Sequence, residues 1–171
     1  MPELVLRTAQ DELLNFAGTG MSIMEMSHRS KEFMGVIKQA EQDLRAILNV
    51  PDNYSILFMQ GGATMQFASV PMHLLGMYEP AEGEEAGKKP TAHYIVTGIW
   101  SKKAAEEATK YLNVEVIATS KNSNFTQDPE VSKEVKDSKP LYVYYCANET
   151  VHGVELNSLP VEVSPVRRPL L

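Results

Sequence analysis

With a single cysteine, Cys146, the 171-residue chain has no partner for an intramolecular disulfide. The thiol follows the apolar run LYVYY, which favours a buried free cysteine over a reactive one and fits a reducing compartment. Positive charge is also in short supply. Sixteen Lys and Arg face 22 Asp and Glu for a net −6, so there is no basic field to draw nucleic acid or an anionic membrane. No run approaches the roughly 18 apolar residues of a membrane span. The opening MPELVLRTAQDELLNF lacks the basic and apolar regions of a signal peptide, and a cytoplasmic location is expected. His28, His73, His93 and His152 form no HxxxH, and CxxC is missing, so no metal site is expected. Without GxSxG or GxxxxGK[ST], neither a hydrolase elbow nor a P-loop is expected. No internal repeat or low-complexity tract occurs.

What remains is a composition of 43% hydrophobic and 22% charged residues, in a length that suits one domain. Pro2 is placed to start a helix whose apolar residues, from Leu4 to Phe16, predict an end near Gly18. The stripe Phe33, Val36, Ile37, Ala40, Leu44, Ile47 and Leu48 predicts a second helix, broken by Pro51. YSILFMQ reads as a strand, the Gly61–Gly62 pair as a tight turn, and ATMQFASVPMHLLG as a helix. EPAEGEEAGKKP, residues 79–90, reads as a surface insertion. Beyond it AHYIVTG predicts a strand, WSKKAAEEATKYL a helix and VEVIATS a strand. A polar connection over 120–140 then leads to a last strand, LYVYYCA. This alternation predicts an α/β fold with a mostly parallel sheet and helices on both faces. Ligands in such folds bind beyond the carboxyl ends of the strands.

Three segments lie there or at a helix start. In QGGAT, two glycines let backbone approach a ligand, and the helix that follows offers free N–H groups to an anion; the same pair serves equally to sharpen a turn. In SHRS, His28 and Arg29 can grip a carboxylate or phosphate, or Ser27 or Ser30 can simply cap a helix beside a solvent-facing arginine. In GIWSKK, Trp100 can stack on a flat ring or fill the core. Lys102 and Lys103 oppose the helix dipole there, a cost that a nearby anion or Glu106 and Glu107 at i+4 would offset.

Taken together, GTGMSIMEMSHRSKEF, PDNYSILFMQGGATMQF, YIVTGIWSKKAAEEA and YVYYCANETVHGVE resemble the phosphoserine aminotransferase family in order and, apart from 79–90, in spacing. The resemblance runs from about Pro2 to about Pro160. It implies a fold-type I aminotransferase that uses pyridoxal 5'-phosphate, with residues 1–171 as part of its large domain. Such an enzyme moves an amino group from glutamate to 3-phosphohydroxypyruvate, giving O-phosphoserine and 2-oxoglutarate, and works as a homodimer. His28 and Arg29 are implied to bind substrate, and Ala63, Thr64, Trp100 and Thr150 to bind the cofactor. The family's Asp on the pyridine nitrogen and its Schiff-base Lys fall beyond the matching region. The tail 161–171, with VRRPLL, is unlike the family. Two expectations follow: the chain by itself is inactive, and it is either the incomplete record of an enzyme or a fragment that pairs with full-length subunits.

Overall fold

The computed structural model describes residues 1–80, 87–127, 129 and 139–156; residues 81–86 of the insertion, most of the connection after 127 and the tail beyond 156 lie outside the described residues. Two compact units divide the chain, Met1–Met59 and Gln60–Leu171.

In the first unit, helix α1 covers Glu3–Glu12, entered through extended Pro2 and braced by an Arg7–Glu3 pair. It stops short of Gly18. The Asn15 side chain takes the Gly20 N–H at 2.7 Å and Thr19 Oγ1 donates to the Phe16 carbonyl at 2.6 Å. These local bonds make a separate one-turn helix, Phe16–Gly18, with Ala17 left-handed at φ 50°. Helix α2, Lys31–Ile47, starts where Ser30 Oγ accepts the Phe33 N–H at 3.2 Å and ends where Asn49 turns left-handed at φ 51°. Arg45 then holds the departing chain, donating to the carbonyls of Pro51 and Tyr54 at 3.1 Å each. Neither α1 nor α2 has a buried residue, although both carry the apolar stripe that the sequence shows.

YSILFMQ is not a strand. It runs as irregular chain with Leu57 74% exposed. Apolar, β-compatible residues make a strand only where a neighbour accepts their backbone bonds, and no strand among the described residues pairs with this segment.

The second unit opens with helix α3, Ala63–Gly76, entered through Gly62 at φ 109°. Next come strand β1 (Thr91–Val96), helix α4 (Ile99–Ala108), strand β2 (Asn113–Thr119) and a short strand β3 (Val143–Tyr144). The sheet order is β2-β1-β3, with both pairings parallel, so β1 is central. That position suits its sequence, since Ala92, Tyr94, Ile95 and Val96 are apolar and buried, as a central parallel strand requires, and the buried His93 lies with Nε2 3.2 Å from Glu115 of β2.

Ala92, Tyr94 and Val96 point to α4, meeting Ala104, Ala105 and Ala108 together with Leu112 and Tyr142; Phe67, Val70, Leu74 and Leu75 of α3 pack against the same cluster. Alanines on the inner side of α4 let the helix lie close to the sheet. Ile95 looks the other way, toward Ile117 and Ala118, with Val143 and Tyr145 beside them. The two sets follow from the alternation of side chains along β1, whose pairing with β2 also shifts register between Tyr94 and Ile95.

Three tyrosines tie the two strands β1 and β3. Tyr94 stacks on Tyr144 with ring centres 4.9 Å apart, and its hydroxyl shares a 2.7 Å hydrogen bond with that of Tyr142. Burial, reinforced by this bond, pushes the Tyr94 phenol well above its ordinary range; burial also raises Tyr142, and Tyr144 is pushed up to about 12. An acid whose folded value is raised contributes stability below its unfolded value, near 10, and loses it progressively as pH climbs above that point. The second unit is therefore expected to lose stability from about pH 10 upward. Following the melting temperature from pH 8 to 11 checks this, and an unchanged value would contradict it.

Candidate functional site

Strand β1 ends at Val96, and Thr97 and Gly98 carry the chain into α4. A helix start leaves its first N–H groups without intrahelical partners, and the residue ahead of it commonly supplies a side-chain oxygen. Gly98 has no side chain to offer. The acceptors come instead from the hairpin formed by β4 (Asn148–Glu149) and β5 (Val154–Glu155), far along the chain.

Glu149, completely buried, receives the Trp100 N–H on Oε2 at 3.0 Å and the Ser101 N–H on Oε1 at 2.7 Å; the Ser101 hydroxyl also donates to Oε1. His152 Nδ1 takes the Ile99 N–H at 3.3 Å, its ring set edge-on to Phe125. Ser101 Oγ in turn accepts the N–H groups of Thr97 and Gly98 at 3.0 and 3.2 Å. The carboxylate fills the place of a missing cap side chain. A Cβ built on Gly98 would lie 2.6 Å from Glu149 Cδ and 2.6 Å from Oε2.

This explains the lysines after Trp100. An anion does stand at the helix start, and it is the chain's own Glu149; Lys102 is offset as well by Glu106 at 3.5 Å. Lys103 does not reach Glu107, which pairs with Lys110, but lies over the Trp100 ring, 5.1 Å from its centre.

Trp100 is half-buried at the helix start and outside the buried cluster, and its Nε1 donates to Thr150 Oγ1 at 3.0 Å. Two of the sequence candidates thus meet, at the carboxyl end of β1. Ala63 and Thr64 form the first turn of α3, exposed, with no side-chain cap and no acidic residue. Around Gly61 and Gly62 nothing lies within 4 Å of where a Cβ would stand. The α3 start is thus open to an anion where the α4 start is closed.

His28 and Arg29 are exposed in the turn closed by the Ser30 N–H on the Ser27 carbonyl at 2.9 Å, in the first unit. Ser30 caps α2 as the sequence allowed. Cys146 is half-buried rather than buried as expected, and its thiol donates to the Asn148 carbonyl at 3.4 Å; burial and the nearby Glu149 push the thiol up, which favours the protonated form. An apolar groove of about 490 Å³ between α4 and β2, lined by Val96, Ala105, Val114, Val116 and Phe125, takes in none of the candidate residues. Among the described residues there is no cluster of His, Cys, Asp and Glu able to hold a metal ion, and no helix long and apolar enough to cross a membrane.

Glu149, Ser101 and His152 were not among the sequence candidates. The signal for them was indirect: a helix preceded by glycine needs its cap from elsewhere, and NETVHGVE offers a carboxylate and an imidazole.

The family model described as aminotransferase class-V matches residues 1–164. Phosphoserine aminotransferase 2, chloroplastic, of Arabidopsis thaliana is 45% identical over 165 residues, covering 96% of this chain and 36% of the relative. A probable phosphoserine aminotransferase of Caenorhabditis elegans is 48% identical over 155 residues, covering 91% and 39%. Among solved structures, the phosphoserine aminotransferase from Bacillus circulans subsp. alkalophilus superposes with a TM-score of 0.78 at 37% identity, covering 94% of this chain and 41% of that one. PLP-bound phosphoserine aminotransferase from Trichomonas vaginalis gives 0.73 at 34% identity, covering 94% and 42%. The chain thus spans about two fifths of the length of the proteins it matches.

Proposed function

The chain belongs to the class-V aminotransferase family, and from that premise we propose that it forms part of the large domain of a phosphoserine aminotransferase, contributing one side of a pyridoxal-phosphate site. What supports the reading most is the Trp100–Thr150 pair. An indole and a hydroxyl, 50 residues apart in sequence, are held 3.0 Å from each other beyond the carboxyl end of a parallel strand, where α/β folds bind ligands.

The residues present fit such a cofactor. Gly61, Gly62 and the uncapped first turn of α3 leave space and donors for a phosphate, with Ala63 and Thr64 as the residues that hold it. Trp100 offers a flat surface for a pyridine ring on the face opposite Lys103, and Thr150 keeps the indole from turning. When bound, pyridoxal phosphate supplies an electron sink and carries the amino group between its aldehyde and amine forms. His28 and Arg29 are proposed to bind anionic groups of the substrates, glutamate and 3-phosphohydroxypyruvate, in a homodimer in a reducing compartment such as the cytoplasm.

Trp100 is the only tryptophan and so reports its own surroundings. Pyridoxal phosphate titrated into the chain is expected to quench its emission saturably, with inorganic phosphate competing. Thr64→Val is expected to weaken the effect roughly tenfold, the size of one lost hydrogen bond to a charged group. Linear, non-saturating quenching in the unaltered chain would overturn the reading.

A further inference from the structure

The buried carboxylate of Glu149 has no part in the cofactor contacts proposed above, yet it joins the two segments that carry them. Trp100 is bonded through its N–H to Glu149 Oε2, and Thr150 is the next residue after Glu149. The indole and the threonine hydroxyl are therefore both within one residue of the same clamp. We propose that Glu149 is a positioning residue: by capping α4 from the hairpin it sets the Trp100–Thr150 geometry, and hence the surface on which a ring would stack.

Three observations support this. The carboxylate is wholly buried and accepts three bonds, from the Trp100 and Ser101 N–H groups and the Ser101 hydroxyl. A buried, multiply bonded carboxylate resists displacement, because a shift leaves charge and donors unpaired together. Next, Gly98 leaves the volume that Glu149 occupies, and no larger residue fits without moving it. Lastly, the hairpin is fixed to the carboxylate's own backbone: the Glu149 carbonyl accepts from the N–H groups of His152 at 3.1 Å and Gly153 at 2.7 Å, and Gly153 holds φ 71° to close the turn. Thr150 thus lies between a fixed side chain and a fixed turn.

The inference rests on Trp100 and Thr150 facing the cofactor, and its test separates the two readings. Glu149→Gln keeps the shape but turns one acceptor into a donor facing an N–H group. It is expected to move the Trp100 emission to longer wavelength without cofactor, as the indole loosens into solvent, and to weaken quenching by pyridoxal phosphate roughly tenfold. Ser101→Ala, which removes one of the three bonds, is expected to give the same shift in smaller measure and serves if Glu149→Gln does not fold. Ile117→Ala, on the far face of the sheet, supplies a matched loss of melting temperature with no change in emission. Native emission and native quenching in Glu149→Gln or Ser101→Ala, with only a lower melting temperature, would reduce Glu149 to a purely structural role and overturn the proposal. If the unaltered chain is not quenched, the cofactor reading falls while the emission comparison still decides the clamp.

Discussion

Gly98→Ala is expected to lower the melting temperature of the second unit by about 10 °C, from a loss of about 3 kcal/mol. Backbone strain is not the reason, since Gly98 has φ 174°, extended backbone that any residue adopts. Space is. The added methyl would meet Glu149 Cδ and Oε2 at 2.6 Å, and both belong to a side chain held by three bonds in a buried place. Either the helix start moves away or the carboxylate leaves its donors, and each costs of the order of kcal/mol.

A double-mutant cycle isolates that cause. In a Glu149→Ala background the obstacle is gone, so Gly98→Ala should then cost close to nothing, a strongly non-additive result for neighbours. The cap could also be moved into the helix's own flank. Gly98→Asp combined with Glu149→Ala places an acceptor at the usual capping position and should recover about 1 kcal/mol of what Glu149→Ala loses. Additive effects of Gly98→Ala and Glu149→Ala in denaturant titration would show that the two residues do not compete for one volume.

The second large effect is expected at Tyr94. Tyr94→Ala removes a ring that is fully buried, stacked 4.9 Å from Tyr144 and edge-on to Tyr142 at 5.9 Å. The cost should be about 4 kcal/mol, combining lost transfer energy, a cavity and the stranded Tyr142 hydroxyl. Tyr94→Phe keeps the ring and loses only the hydroxyl bond, so about 1 to 2 kcal/mol is expected. It has a second signature. With one raised phenol removed from the central strand, the fall in stability above about pH 10 should become shallower than in the unaltered chain. An equal slope in both would mean that the buried pair does not govern alkaline unfolding.

Much of this architecture was legible beforehand, and the reasons differ from element to element. Helix α3 occupies the range that ATMQFASVPMHLLG suggested, because a glycine pair and a period of apolar residues are both local signals. AHYIVTG and VEVIATS became the paired strands β1 and β2 because β-branched and aromatic residues found parallel neighbours. YSILFMQ also carries apolar, aromatic and β-branched residues yet formed no strand, since strand formation depends on a partner that composition cannot reveal. LYVYYCA yielded only Val143–Tyr144 as strand β3, although Leu141 and Tyr142 bond Thr91 and His93 on either side.

At the site, Trp100 was singled out as a strand-end ring and Thr150 was named through resemblance, while their mutual hydrogen bond was not foreseen. Glu149 escaped notice for a different reason. Capping rules search within a few residues of a helix start, and this cap arrives from 48 residues further on. The same distance hid the value of Gly98, which in sequence looks like an ordinary turn residue and in space is the vacancy into which Glu149 fits.

A cap borrowed from so far along the chain also sets a clock on biosynthesis. Ser101 is polymerised 48 residues ahead of Glu149, an interval of roughly 2 to 10 s at ribosomal rates of 5 to 20 residues per second. Through that interval α4 can pack its alanines on β1 but has nothing to close its leading turn, and β1 still lacks β3 on one edge. A later stretch, Leu141 to Glu155, supplies both. The leading turn of α4 is therefore closed only when the hairpin carrying Glu149 arrives, seconds after the helix itself is made.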